Sequence, residues 1–94
     1  MNELLNTIYD NAVSDMENAF IKMLGGRKMI IDTDKKMESV FGEIELLEII
    51  PNEEYISVTF LDGDVDFCEE KLTDFSILDM IVIGEYADDY GKLI

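Results

Sequence analysis

Val40-Phe41-Gly42-Glu43-Ile44-Glu45-Leu46-Leu47-Glu48-Ile49-Ile50-Pro51-Asn52 alternates apolar and polar residues and then slips phase. Val40, Ile44 and Leu46 fall on one face of an extended chain, after which Leu47 and Ile49 take over on the other. Successive strand side chains point to opposite faces. A strand that keeps its apolar side inward therefore has to insert one residue near 46–47. The stretch reads as a single long β-strand, bulged and sharply bent, that ends at Pro51-Asn52.

Towards the C-terminus, Tyr55 to Leu61 alternates again, with Ile56, Val58 and Phe60 on the inner face. Asp62-Gly63-Asp64 is a hairpin turn signal, and Val65 and Phe67 open a short returning strand. Residues 71–79 read as a helical turn or loop packed through Leu72, Phe75 and Leu78. Met80-Ile81-Val82-Ile83 reads as a buried strand, followed by an acidic, aromatic tail from Gly84. Towards the N-terminus, Asp32-Thr33-Asp34-Lys35-Lys36 is a turn preceded by the apolar run Met29-Ile30-Ile31.

Before that run the period changes to that of a helix. Leu4, Leu5, Ile8, Tyr9, Ala12, Val13, Met16, Ala19, Phe20, Met23 and Leu24 recur at three-and-four spacing. Asn2 suits the N-cap and Glu3 the first turn. Gly25-Gly26 supplies the stop, because glycine enters the left-handed conformation at little cost.

The expected architecture is α+β in one domain, 1–94, with a helix at 3–24, a β-rich part at 28–86 and an acidic tail at 87–94. The helix packs on a small antiparallel sheet of four to six strands, or on a partly open barrel. Ile8, Ala12, Met16, Phe20, Ile44, Leu46, Ile56, Val58, Phe60, Leu72, Phe75 and Val82 are the expected core. Within 42–83, Gly42-Glu43-Ile44, Ile56-Ser57-Val58-Thr59-Phe60-Leu61-Asp62-Gly63-Asp64, Leu72 and Ile81-Val82 resemble small SH3-like barrels of the Tudor and KOW sort. Such barrels carry a Gly-x-Ile/Val first strand, a Val-x-Phe-x-Asp-Gly hairpin and a leucine turn before the last strand. The resemblance implies a fold only. The Tudor aromatic cage has no counterpart residue by residue, and the basic surface of KOW domains is absent.

Twenty-two acids against seven bases give a net charge of −15. That is about twice the upper end of the 2–8 range suited to a small domain, and it opposes compaction by self-repulsion. Residues 1–36 hold six acids and five bases, a net of −1; residues 37–94 carry −14, with Lys71 and Lys92 as their only bases. Cys68 is the single cysteine, no apolar run approaches the ~20 residues of a membrane span, and Met1-Asn2-Glu3-Leu4-Leu5 lacks a basic signal-peptide start. The expected compartment is the cytoplasm.

Catalytic and metal-binding readings find little support. Asp62-x-Asp64-x-Asp66 has Phe67 and Thr73 where a calcium loop needs glycine and glutamate. Cys68 has no histidine anywhere in the chain to activate it, and its neighbours Glu69 and Glu70 disfavour a thiolate. Gly25-Gly26-Arg27-Lys28 follows a helix instead of preceding one, unlike a phosphate loop. Carboxylate pairs arise by chance at this acid density, and a domain this small has little room for a cleft. The expectation is no catalysis, no metal and no cofactor, and no direct binding of nucleic acid, whose phosphates repel the chain.

The acids themselves are the remaining candidates. Alternate residues on a strand lie about 6.6 Å apart on one face, the length scale of successive phosphates on one nucleic-acid strand. Glu43 and Glu45 form one such row, and Asp62, Asp64 and Asp66 another; Glu53, Glu54, Glu69, Glu70 and Asp74 could join them. A sheet holding these carboxylates would suit the basic groove of a nucleic-acid-handling protein. In size and charge it is similar to small anti-restriction and anti-CRISPR inhibitors of phages and mobile elements. The alternative is an interaction module or small subunit that docks through Tyr55, Tyr86, Tyr90 or the broad helix face. Either surface could also pair two copies. A salt-adapted acidic surface is the third reading, disfavoured by abundant Ile and Met.

Overall fold

The computed structural model describes residues 2–94 apart from Asp64, and the Asn2 side chain, expected as a cap, also lies outside the described residues. The first helix, α1 (Asn2–Leu24), ends where Gly25 and Gly26 turn to φ of 56° and 78°. The Gly25 N–H there donates to the Ile21 carbonyl at 3.0 Å. Six strands follow: β1 (Met29–Ile31), β2 (Met37–Ser39), β3 (Gly42–Pro51), β4 (Ile56–Asp62), β5 (Asp66–Lys71) and β6 (Gly91–Leu93). They form one open antiparallel sheet in the order β5-β4-β3-β1-β6. β2 pairs with the first residues of β3, and β1 with its later ones. The molecule is thus α+β, as the sequence predicts, with a sheet that does not close.

The bent strand is where the phase slip puts it. The β3–β4 register passes from Leu46↔Phe60 to Glu48↔Thr59, leaving Leu47 as the inserted residue. The bulge lets Leu46 and Ile49, an odd number apart, both be fully buried. Val40 is exposed, because it occupies the tight β2–β3 turn instead of the strand.

The chain departs from expectation after β5. A 3-10 turn, Leu72–Asp74, leads into a second helix, α2 (Ile77–Tyr90), where a buried strand was expected at Met80–Ile83. The physical reason is the Ser76-x-x-Asp79 start. The Ser76 hydroxyl accepts from the Asp79 N–H at 3.0 Å, as an N-cap does. Met80, Ile83 and Ala87 then recur at helical spacing and are buried. Val82 is only half-buried and Leu78 is exposed, so neither holds the place expected for it. The supposed acidic tail is the last turn of α2 followed by β6, which pairs with β1. The resemblance to an SH3-like barrel therefore fails at its final strand.

Both helices contribute to the core on one side of the sheet. Phe20 and Leu24 of α1 and Met80, Ile83 and Ala87 of α2 meet Met29, Ile44, Leu46, Ile49, Val58 and Phe60. Phe41, Phe60 and Phe75 form an aromatic trio with centroids 5.0–5.8 Å apart. Ile8, expected in the core, is exposed. The first turns of α1 run past the body, leaving Leu4, Leu5, Ile8 and Tyr9 between 51% and 64% exposed.

Candidate functional site

The acids sit where the register of the sheet places them. In the β2–β3 pair Glu38 lies opposite Glu43, and in the β4–β5 pair Asp62 lies opposite Asp66. Ile44↔Asp62 joins the two pairs across the sheet, so all four occupy the end that carries the β4–β5 hairpin. Glu45 follows on β3, opposite Leu61. Glu38, Glu43, Asp62 and Asp66 are exposed, and Glu45 is half-buried. The expected rows of Glu43 with Glu45 and of Asp62 with Asp66 are thus brought to one end, although on opposite faces. Glu43 and Glu45 alternate with the buried Ile44, whereas Asp62 and Asp66 are in phase with Phe60 and Cys68. Asp64 lies outside the described residues.

The other candidates are elsewhere. Glu53 and Glu54 are in the β3–β4 turn, roughly 20 Å away along β4 at about 3.3 Å per residue. Glu69 projects from the helix-free face of edge strand β5, Glu70 from the opposite face, and Asp74 sits in the 3-10 turn. Glu38 belongs with the main group and is missing from the sequence reading. Its signal was the tight Ser39 to Gly42 turn, where the Ser39 hydroxyl donates to the Gly42 carbonyl at 2.8 Å and folds Glu38 back onto Glu43.

Four lysines have described partners away from this end. Lys28 pairs with Glu48 at 3.7 Å and Lys92 with Asp32 at 3.3 Å, both beside β1 and β6. The Lys71 ammonium lies 5.2 Å from the Tyr55 ring centroid near the β3–β4 turn. Lys35 lies 5.2 Å from the Tyr90 ring centroid. A side-chain hydrogen bond to Tyr90 raises its pKa above the ordinary lysine value.

Of the four tyrosines, Tyr86 and Tyr90 are packed, whereas Tyr9 and Tyr55 are exposed. Tyr86 and Tyr90 pack edge to face at 5.8 Å, and the Tyr86 hydroxyl donates to the Lys36 carbonyl at 3.3 Å. They anchor the loop between β1 and β2 and are both half-buried. Apolar surface stands open on the helices and also at the hairpin end of the sheet, where Val40, Val65 and Phe67 are exposed. A groove of about 430 Å³ separates α1 from α2, lined by Met16, Ala19, Phe20, Met23, Met80, Ile81 and Gly84, with Glu85 and Asp88 on its rim. Cys68 is half-buried in β5. Among the described residues, no group of three or more Cys, Asp or Glu could hold a metal ion, and no helix is long and apolar enough to cross a membrane. No protein-family model, curated protein or solved structure matches the chain.

Proposed function

We propose that this protein is a small, non-catalytic acidic binding protein of the cytoplasm that occupies the basic nucleic-acid-binding surface of a partner protein. The observation that carries the reading is the like-charge pairing at the hairpin end of the sheet. Glu38 faces Glu43 and Asp62 faces Asp66. Like charges directly opposite each other on neighbouring strands destabilise a sheet by up to ~1 kcal/mol per pair. A chain already at −15 gains nothing for folding from two such pairs. Facing a basic groove, the same repulsion is relieved, and the open end of the sheet supports carboxylates at cross-strand spacings of about 5 Å and along-strand spacings of about 6.6 Å. Association would be fast and steered by charge.

The test is a triple reversal, Glu43→Lys, Asp62→Lys and Asp66→Lys, with Asp10→Lys, Asp15→Lys and Glu17→Lys as the control on α1. Immobilised parent protein should retain a nucleic-acid-binding protein from nuclease-treated host lysate at 50 mM NaCl, and added duplex DNA should release it. The triple reversal should abolish retention, and the control should preserve it. Equal retention by parent and triple reversal would refute the reading. The competing reading, a module that docks through apolar surface, is favoured by the α1–α2 groove, and it predicts retention that survives both the reversal and high salt.

A further inference from the structure

We propose that the helix-free face of the sheet holds an arginine side chain of the partner protein, paired with Glu69, stacked on Phe67 and hydrogen-bonded to Thr59. The inference rests on the reading of a basic partner and names the side chain that partner offers. Register sets the site out as two rows across β3, β4 and β5. Glu48, Thr59 and Glu69 form one row, and Glu45, Leu61 and Phe67 the next. On β3 and β4 these residues alternate with the buried Leu46, Ile49, Val58 and Phe60, so both rows lie on the face that carries no helix.

Three features of these rows do nothing for folding. The Thr59 hydroxyl is buried, in a residue 3% exposed, and has no hydrogen-bond partner among the described residues. An unpaired buried hydroxyl is costly, and valine would fill the same space in a strand without that cost. Phe67, diagonally across the β4–β5 pair, is 67% exposed, although a bare hydrophobic edge is a liability. Glu45 and Glu69 have no ion-pair partner among the described residues. Glu48, by contrast, is held by Lys28 at 3.7 Å, and the Lys71 ammonium lies over the Tyr55 ring.

Arginine answers all three. Its guanidinium is planar, so it pairs edge-on with a carboxylate while its face lies on an aromatic ring. Phe67 and Glu69, alternate residues on one face of β5, lie about 6.6 Å apart and offer those two contacts together. Of the five N–H groups, two serve Glu69 and a third remains for the Thr59 hydroxyl. Thr59 faces Glu69 directly across the β4–β5 pair, with about 5 Å between their Cβ atoms. A lysine ammonium neutralises Glu69 but is a compact, strongly hydrated charge with no planar face. A second copy is a poor occupant, because residues 37–94 of each chain carry −14. A neutral apolar segment would leave Glu45 and Glu69 desolvated and unpaired.

Two peptides of equal charge test this, one with three arginines and one with three lysines, each spaced by glycine and serine. Both are titrated calorimetrically into the purified chain at 100 mM NaCl. The arginine peptide should bind at least tenfold tighter than the lysine peptide. Phe67→Ala and Thr59→Val should each cut that ratio below threefold by weakening the arginine peptide alone. Thr59→Val should also raise the urea midpoint, because it removes a buried unpaired hydroxyl, so its lost affinity cannot come from misfolding. The triple reversal of Glu43, Asp62 and Asp66 should weaken both peptides and keep the ratio, since it leaves Thr59, Phe67 and Glu69 in place. Equal binding of the two peptides by the parent overturns the inference and leaves the acidic-surface reading to the lysate test. A tenfold ratio that survives both single substitutions overturns it as well, and so does a parent that binds neither peptide.

Discussion

Replacing Asp79 with alanine tests how the second helix is tied to the sheet. Asp79 is 8% exposed in the first turn of α2, and one of its carboxylate oxygens accepts from the Val40 N–H at 3.0 Å. That bond fastens the β2–β3 turn, and with it Phe41 of the aromatic trio, to the start of the helix. Asp79→Ala removes a charge-assisted hydrogen bond worth about 1.5–3 kcal/mol and strands a half-buried N–H. It also removes a carboxylate from a helix N-terminus, worth another ~0.3–1 kcal/mol. Loss of one acid from a chain at −15 returns a few tenths of a kcal/mol. The net expectation is a loss of about 2–3 kcal/mol. For a domain of this size that corresponds to roughly 10–20 °C in Tm, at 4–8 °C per kcal/mol. Asp79→Asn keeps an oxygen for Val40 and should lose about half as much. Urea denaturation followed by circular dichroism gives the energies, and hydrogen exchange at the Val40 amide gives the local effect. An Asp79→Ala variant within 0.5 kcal/mol of the parent, with Val40 equally protected, would refute the reasoning.

Gly91→Ala should be strongly destabilising, by about 2–3 kcal/mol, since a Cβ there would overlap the Ala87 carbonyl and the Met29 sulfur; thermal melts would show it. Deleting Leu47 removes the bulge and leaves Leu46 and Ile49 two residues apart, both still opposite Phe60 and Val58 on the core face. The variant should therefore keep a cooperative unfolding transition, and loss of that transition would contradict the assignment of Leu47 as the inserted residue. Glu43→Lys places an opposite charge against Glu38 and should raise stability by about 0.5–1 kcal/mol; a lower midpoint in urea would contradict the like-charge argument. For the parent, raising NaCl from 20 to 300 mM should increase Tm as self-repulsion is screened, and a flat or falling Tm would count against it.

The bulge at Leu47 was legible because a phase slip inside one apolar strand has few physical solutions. The second helix was not, because Met80-Ile81-Val82-Ile83 looks like a strand when β-branched residues are weighed alone. The Ser76-x-x-Asp79 box was the better signal, and its capping bond won. Ile8 shows another limit. Helical periodicity identifies an apolar face but not what covers it, and the body is too short to cover the first turns of α1. For the acids, spacing along each strand was readable. Which acid faces which depends on register, set by the Ser39 to Gly42 turn and the bulge, and so Glu38 was missed while Glu53 and Glu54 were grouped with residues at the other end.

The proposal that the hairpin-end carboxylates form the binding surface is tested most directly by the salt dependence of affinity for the DNA-released partner. Calorimetric titration of the purified partner at 50, 100, 200 and 300 mM NaCl should show the parent's Kd rising at least tenfold across the series. The Glu43→Lys, Asp62→Lys, Asp66→Lys protein should show no binding at any of the four. A Kd that stays constant with salt, together with equal binding by the reversed protein, would contradict the account.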